Sequence, residues 1–457
     1  MLDLAVMMAT TEPKDGELRE RSLFYSLRDG MAWSVMVGFG DHYLGAFALL
    51  LLATPFQMGL LVALPPITGA LFQLWSARLT DRSGRRRNII VTSAGLQSLV
   101  WILIFLVPMS VPREWAVPFM IFFVVCFVVG GHFTVPPWYS LMGDLVDPSH
   151  RGDYFGRRNR ICQFFTFVSV GLAGLVLHYF EKLGPGARPY GFMVIFGVAC
   201  AARLISTVYL SLQYEPPYAP PPREKQIGFP EFLRSLGSSN FGRFGVFSAA
   251  MSFAVHLSAP FFVVYLLRDL GLNYIRFTIV TSMVVLAHIL TLVFWGRAAD
   301  RFGNKWVLTT CGLIFSVGPL CLPLSTEFWF IVAFQFVMAV AGAGFNLASA
   351  NYLFDAAPPP QRARYVAFIH VLNASGVFLG GLAGGWLAGR MPPAIAWGPV
   401  HFNLASGLLM LFLISGLLRL VILAAFRSRF QELRSVDPAP RPVHLFRLAV
   451  VEMFSFK

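Results

Sequence analysis

The chain is 457 residues long, 56% hydrophobic and only 13% charged, with a mean hydropathy of +0.65. A soluble domain carries about 25% charged residues, so this composition excludes an ordinary globular enzyme and points to lipid as the solvent. The net charge of +13 fits basic flanks against anionic headgroups better than it fits a nucleic-acid partner.

A segment at 1–27 mixes both charge signs and shows no signal peptide. Apolar stretches then recur at 30–52, 57–79, 88–109, 117–140, 160–181 and 190–212, and again at 245–267, 275–297, 305–324, 328–353, 365–388 and 402–425. Each is long enough to cross about 30 Å of hydrocarbon. Helices are expected because an open sheet edge cannot be satisfied in lipid. The predicted fold is an all-α membrane protein, with twelve spans in two six-helix halves at 28–214 and 241–426. Between them, 215–240 is proline-rich and charged, a semi-rigid linker, with Phe229 to Leu236 as a short amphipathic helix. The tail at 427–457 is basic and expected to lie on the membrane surface or to be poorly ordered.

Lys and Arg set the orientation. Most of the 36 fall on the two tails, the linker and the loops on their side. Only Arg113, Lys182, Arg188, Arg268, Arg276 and Arg390 fall opposite, and Arg203 is the one arginine placed within a span. Both termini are thus expected on the cytoplasmic side of a multi-pass cell-membrane protein. The high Arg-to-Lys ratio suggests a bacterial inner membrane. Cys126, Cys162, Cys200, Cys311 and Cys321 stand singly in spans, so neither a zinc site nor a disulfide framework is indicated, and no cofactor is expected.

A charged signature occurs once in each half. The first copy reads Ala77-Arg78-Leu79-Thr80-Asp81-Arg82-Ser83-Gly84-Arg85-Arg86-Arg87, and the second Gly296-Arg297-Ala298-Ala299-Asp300-Arg301-Phe302-Gly303-Asn304-Lys305. Gly171-Leu172-Ala173-Gly174 likewise recurs as Gly381-Leu382-Ala383-Gly384, and Phe39-x-x-His42 as Phe253-x-x-His256. In these residues the sequence resembles the major facilitator superfamily, whose loop between helices 2 and 3 carries G-x-L-x-D-R-x-G-R-[RK]. The resemblance covers nearly the whole chain. It implies two halves related by parallel repetition, a midplane solute site and alternating access. It also implies that Asp81 latches the halves on the cytoplasmic side by engaging the start of span 11 near Arg364. Arg82, Gly84, Arg85 and Arg86, with Asp300, Arg301, Gly303 and Lys305, complete the expected gate. Ala77 departs from the family pattern. Asp144 and Arg151 crowd the loop after span 4 and are expected to join the gate as an ion-pair network.

Polar groups within spans are the candidate solute or coupling residues. An ionised Asp at a helix centre costs about 2.5–3.5 kcal/mol. Asp41 is near the centre of span 1, in a stripe with Ser34, Gly38 and Gly45 that faces protein or water. His256 is central in span 7, the equivalent helix, and the two are expected to titrate as a pair. Arg203, whose charge cannot be shed, needs an acid, carbonyls or an anionic solute. His42, His132, His288 and Trp138 are further candidates. His370 is another histidine in a span, and His178 sits nearer an interface. Pro65-Pro66, Pro136-Pro137 and Pro260 mark expected kinks.

No nucleotide-binding or hydrolase motif is present. The best-supported function is therefore a secondary active transporter of a small solute, coupled to protons through Asp41 and acting as a monomer in lipid. One alternative is transport of a transition-metal ion or its chelate. The other is a transporter-like protein that senses or assembles without moving solute. Membrane-embedded catalysis has no supporting constellation.

Overall fold

The computed structural model describes residues 15–147, 150–217, 229–237, 239–356, 362–392, 394–397, 400–403, 405–433 and 436–437. Six long helices form the first half: α1 (Asp15–Phe39), α2 (Pro55–Ser83), α3 (Arg86–Ser110), α4 (Arg113–Leu145), α5 (Arg151–Lys182) and α6 (Arg188–Ser211). Six more form the second: α7 (Asn240–His256), α8 (Tyr274–Phe302), α9 (Asn304–Cys321), α10 (Phe328–Ala356), α11 (Arg362–Ala388) and α12 (Leu408–Phe426). The short helix Phe229–Ser235 precedes α7. Among the described residues, eleven segments are long and apolar enough to cross a membrane. The exception is α1, which carries Arg28 and Asp29 and stops at Phe39.

Local chemistry sets the helix ends. Thr54 and Gln57 form a reciprocal capping box at the start of α2, with Pro55 as its first residue. The Asn273 side chain accepts from the Arg276 N–H at the equivalent start of α8. Gly84 closes α2 at φ 64°, a left-handed conformation that suits glycine. The prolines at 65–66 and 136–137 sit inside unbroken helices, so the expected kinks there do not interrupt α2 or α4. Interruptions follow both first helices instead, about one turn later in the second half than in the first. After α1, Asp41–Tyr43 form a 3-10 turn before helix resumes at Leu44–Leu50. After α7, Ala259–Phe261 form a 3-10 turn before Phe262–Val264. A continuous span at 30–52 was expected, and the Gly38-Phe39-Gly40 run explains its failure, because glycine weakens a helix. Among the described residues the fold is all-α as expected, apart from one short antiparallel pair, β1 (Ala394–Trp397) and β2 (Val400–Asn403), between α11 and α12.

The two halves repeat each other's packing. In the first half α1 packs on α5 and α6, α3 on α4 and α6, and α2 on α4. In the second, α7 packs on α11 and α12, α9 on α10 and α12, and α8 on α10. The halves meet through α2 against α11 and α5 against α8, which are equivalent pairs under the same repeat. The recurring Gly-Leu-Ala-Gly segments make these contacts close. A Cβ at Gly174 would collide with Thr278, and one at Gly381 with Ala63 and the Gly59 carbonyl.

The core divides by level. At the end away from the two loop signatures, one hydrophobic cluster joins both halves, with Tyr43, Phe47 and Phe192 meeting Phe261, Tyr265 and Phe277. At the signature end each half has its own cluster, one around Ile90, Leu141 and Leu210 and one around Phe244, Trp295 and Phe345. The halves are thus sealed at the far end and packed separately at the signature end.

Candidate functional site

A cavity of about 410 Å³ lies within the first half. Its lining comes from α1 (Asp29, Trp33, Met36), the turn after it (Asp41), α3 (Gln97), α4 (His132, Trp138), α5 (Arg158) and α6 (Arg203), among others. One polar network runs along its wall. The Arg203 Nε donates to the Gln97 Oε1 at 2.7 Å, and Gln97 in turn donates to the Phe127 carbonyl at 2.9 Å. The Arg203 Nη1 donates to the Ser206 hydroxyl at 2.8 Å, and that hydroxyl donates to the Asp29 Oδ1 at 2.6 Å. The Arg158 Nη2 reaches the other Asp29 oxygen at 3.4 Å while its guanidinium covers the Trp138 ring at 4.8 Å. Asp29, Gln97, Arg203 and Ser206 are all buried. Two guanidinium groups around one carboxylate, with a hydroxyl and an amide filling the remaining valences, is how a low-dielectric interior tolerates such charge.

Asp41 differs from Asp29. It is exposed to the cavity, and among the described residues its carboxylate makes no hydrogen bond or ion pair. Arg203 is near enough for its charge to act on Asp41 without contact. The break in α1 puts Asp41 on the cavity while Tyr43, two residues on, is fully buried.

Asp41, Arg203, His132 and Trp138 thus line one cavity. His132 holds the Gln73 side chain at 3.1 Å. The expected Asp41–His256 pair does not form. His256 bonds the Ser252 carbonyl of its own helix at 2.9 Å and lies in the field of Arg419. His288 likewise turns onto the Val284 carbonyl at 2.8 Å. His42 is half-buried and outside the cavity lining. The stripe expected around Asp41 is divided by the break, with Gly38 against Ser169 and Gly45 against Val263.

Sequence reasoning missed Asp29 and Arg419. Asp29 was placed in the flank before span 1, because Arg28-Asp29 ends the apolar run. Arg419 was counted with the basic helix ends although it falls inside the span at 402–425; it is 3% exposed, at the point of α12 that matches Arg203 in α6. It donates to the Phe315 carbonyl at 2.8 Å and to the Ser258 hydroxyl at 3.1 Å. The signal was available in the repeat, since both arginines fall at one register of the two sixth helices.

The expected gate residues divide into three groups. Arg86 is fully buried, bonding the Asp144 carboxylate at 2.5 Å and the Pro216 carbonyl at 3.0 Å, while its N–H donates to Glu215 at 2.6 Å. In the second half the Lys305 N–H donates to Glu432 at 2.7 Å, and Asn304 donates to Asp355 at 3.0 Å. A carboxylate thus sits at the N-terminus of α3 and of α9, where the helix dipole favours it. Arg151 departs from its expected role and bonds carbonyls at the end of α4, Gly143 at 2.6 Å and Val146 at 3.4 Å. Arg301 pairs with Asp437 at 3.4 Å, and Phe430 is buried against Phe244 and Tyr352, so the start of the tail is docked on the second half. Gly303 (φ 90°) sits against Glu432. Asp81, Arg82, Arg85 and Asp300 are exposed at the signature loops. The side chain of Arg364, the expected partner of Asp81, lies outside the described residues, as do residues 438–457 of the tail and 218–228 of the linker.

The family model for the Major Facilitator Superfamily matches residues 22–255 and 242–452. A D-xylose transporter from Levilactobacillus brevis is 27% identical over 158 residues, 34% of this chain and 32% of that protein. A multidrug resistance protein MdtH from Photorhabdus laumondii is 29% identical over 95 residues, 21% of this chain and 24% of that protein. The aligned stretches span about a third or less of these relatives. Among solved structures, a D-xylose-proton symporter superposes with a TM-score of 0.66 at 14% identity, covering 92% of this chain and 99% of that one. A nucleoside transporter NupG superposes with a TM-score of 0.65 at 13% identity, covering 96% of this chain and 100% of that one.

Proposed function

This chain belongs to the major facilitator superfamily, and from that premise we propose that it is a secondary transporter that moves a small solute by alternating access, with Asp41 as its proton-exchanging group. The observation that carries the reading is the Asp41 carboxylate itself. It stands on a helix break, faces a cavity of about 410 Å³ and has no bonded partner among the described residues. An intramembrane carboxylate without a partner is expensive when ionised, so it takes up a proton readily and releases it when solvent or a cation stabilises the charge. Arg203 is the nearby fixed charge that favours release. The signature end is the cytoplasmic end in this reading, which follows from the distribution of Lys and Arg. A likeness to transporters of a pentose and of nucleosides supports a small polar solute. The cavity volume suits one, since small-molecule sites occupy about 300–1,000 Å³.

The test uses the purified full chain in proteoliposomes carrying a trapped pH indicator. D-xylose and uridine are the first probes of a panel of small polar solutes. Solute-dependent proton movement is expected in the wild type. Asp41→Asn is expected to lose gradient-driven accumulation while retaining solute exchange across the membrane. An Asp41→Asn protein that still concentrates solute under a proton gradient would overturn the coupling role.

A further inference from the structure

We propose that the Tyr43 hydroxyl is a positioning group for alternating access: it ties the Asp41 turn to the opposite half and so links the cavity carboxylate to closure of the far end. This rests on Asp41 as the coupling group. Tyr43 closes the 3-10 turn that Asp41 opens, so no flexible chain separates them. Its hydroxyl donates to the Val170 carbonyl of α5 at 2.7 Å. With that proton used, the 2.9 Å contact to Thr278 of α8 has Thr278 as donor. The bond crosses from the first half to the second. Tyr43 is fully buried, Thr278 is 3% exposed, and Phe277 packs edge-on to the Tyr43 ring at 6.1 Å. Gly174 lets α5 and α8 approach closely enough for the bond to form.

The repeat supplies an internal control. In the register of the Phe39-x-x-His42 and Phe253-x-x-His256 repeat, Tyr43 is matched by Leu257, just before the turn Ala259-Pro260-Phe261, so an apolar side chain already occupies the equivalent position. Leu257 is 3% exposed, and its carbonyl lies against Gly384, the counterpart of Gly174. The equivalent of Thr278 is Gly59, which offers no hydroxyl. The inter-half contact is therefore polar on one side of the pseudo-axis and apolar on the other. The polar one is attached to Asp41. When Asp41 changes protonation or meets solute, any rotation of its turn strains or relaxes the Tyr43–Thr278 bond directly. The charged or titratable side chains on the cavity around Asp41 are Asp29, His132, Tyr139, Arg158 and Arg203, and His42 adjoins it in the chain. None of them touches the Tyr43 hydroxyl.

The experiment compares the wild type with Tyr43→Phe, Thr278→Val and the double variant. All are full-length chains in nanodiscs, with the five native cysteines replaced and spin labels at Leu183 and Leu324, both exposed at the far end of opposite halves. Distance distributions are recorded between pH 5 and pH 9. Losing one neutral buried hydrogen bond is expected to shift the ratio of far-open to far-closed forms about two- to tenfold toward open. The dependence of that ratio on pH is expected to flatten. Thr278→Val should reproduce both effects, and the double variant should add nothing to either single one. Thermal stability of Tyr43→Phe is expected to stay near wild type, because the ring keeps its packing on Phe277 and only the hydroxyl is lost. A Tyr43→Phe distribution that tracks the wild type at every pH would overturn the proposal, and so would additive effects in the double variant. Loss of the pH response in Asp41→Asn with a wild-type response in Tyr43→Phe would sink the tie and leave the coupling role of Asp41 standing. Asp41→Asn retaining accumulation would sink the coupling role instead.

Discussion

In the first half the turn that interrupts the leading helix carries Asp41, His42 and Tyr43, and in the second half it carries Ala259, Pro260 and Phe261. The helices around the two turns pack in the same pairs. Each half also buries one arginine at the same register of its sixth helix, Arg203 and Arg419. Their partners differ. Around Arg203 stand Gln97, Ser206 and, through Ser206, the Asp29 carboxylate. Around Arg419 stand the Phe315 and Val255 carbonyls and the Ser258 hydroxyl, which itself donates to Ser415. Three residues on, Ser206 is matched by Ile422, and α7 carries no carboxylate along its length. The scaffold is thus duplicated while the chemistry is held on one side. The second arginine donates to the Phe315 carbonyl of α9 and to the Val255 carbonyl where α7 ends, there as a cation at a helix C-terminus. The first belongs to a network that reaches a cavity.

This contrast predicts different losses. The largest is expected at Asp29→Ala, which leaves Arg158 and Arg203 facing each other without the acid between them. Breaking a buried ion network by removing one partner destabilises by about 3–5 kcal/mol, so expression or melting temperature should fall sharply. The second half has no such position, because α7 carries no carboxylate. A stable, normally expressed Asp29→Ala protein would mean that water, and not Asp29, balances the two arginines.

Next in size is Arg419→Met, which removes donors to two carbonyls and one hydroxyl but leaves no bare charge. A loss of about 1–3 kcal/mol in thermal stability is expected. The pH dependence of transport should remain that of the wild type, because no titrating cavity group contacts Arg419. Arg203→Met is expected to shift that dependence. Parallel shifts from the two substitutions would break the division of labour between the halves.

The legible part of this molecule was what repeats or is local. Hydropathy placed twelve spans, because each is a run of adjacent apolar residues, and among the described residues eleven of them are helices long and apolar enough to cross; the doubled Asp-Arg-x-Gly signature pointed to the two halves. The Gly-Leu-Ala-Gly repeat was visible as a duplication. Its role in bringing α5 onto α8 and α11 onto α2 was not, because that depends on which helices meet. Asp29 was misplaced into a flank for the same reason. Only Arg158 on α5 and Ser206 on α6 make a membrane interior acceptable to it, and neither is near it in the chain. The pairing of Asp41 with His256 followed from symmetry of position alone. It failed because the breaks after α1 and α7 turn the two side chains into different surroundings. The docked start of the tail was hidden too. Glu432 accepts from the Lys305 N–H, 127 residues away in the chain, so that contact exists only in the folded second half.

The smallest effects are expected at the signature end, where the comparison sharpens between Asp144 and Asp355. Both acids lie near the ends of equivalent helices, α4 and α10, and both meet the start of the next signature helix. Asp144 accepts from the guanidinium of Arg86, which is fully buried and charged, whereas Asp355 accepts from the neutral amide of Asn304. Asp144→Asn leaves Arg86 with Ser140, the Pro216 carbonyl and Glu215, so part of its compensation survives. Asp144 is itself 46% exposed, so solvent screens what it contributes. A loss of about 1–2 kcal/mol is expected there, against about 0.5–1 kcal/mol for Asp355→Asn, because bonds to charged groups are the stronger kind. Thermal melts of the two variants at low and high salt separate the cases. The Asp144→Asn deficit should shrink as salt rises and screens the wild-type ion pair, while the Asp355→Asn deficit should hold. Equal, salt-independent deficits would show that the buried arginine draws its stability from the carbonyl and Glu215, and that the two signatures are energetically alike.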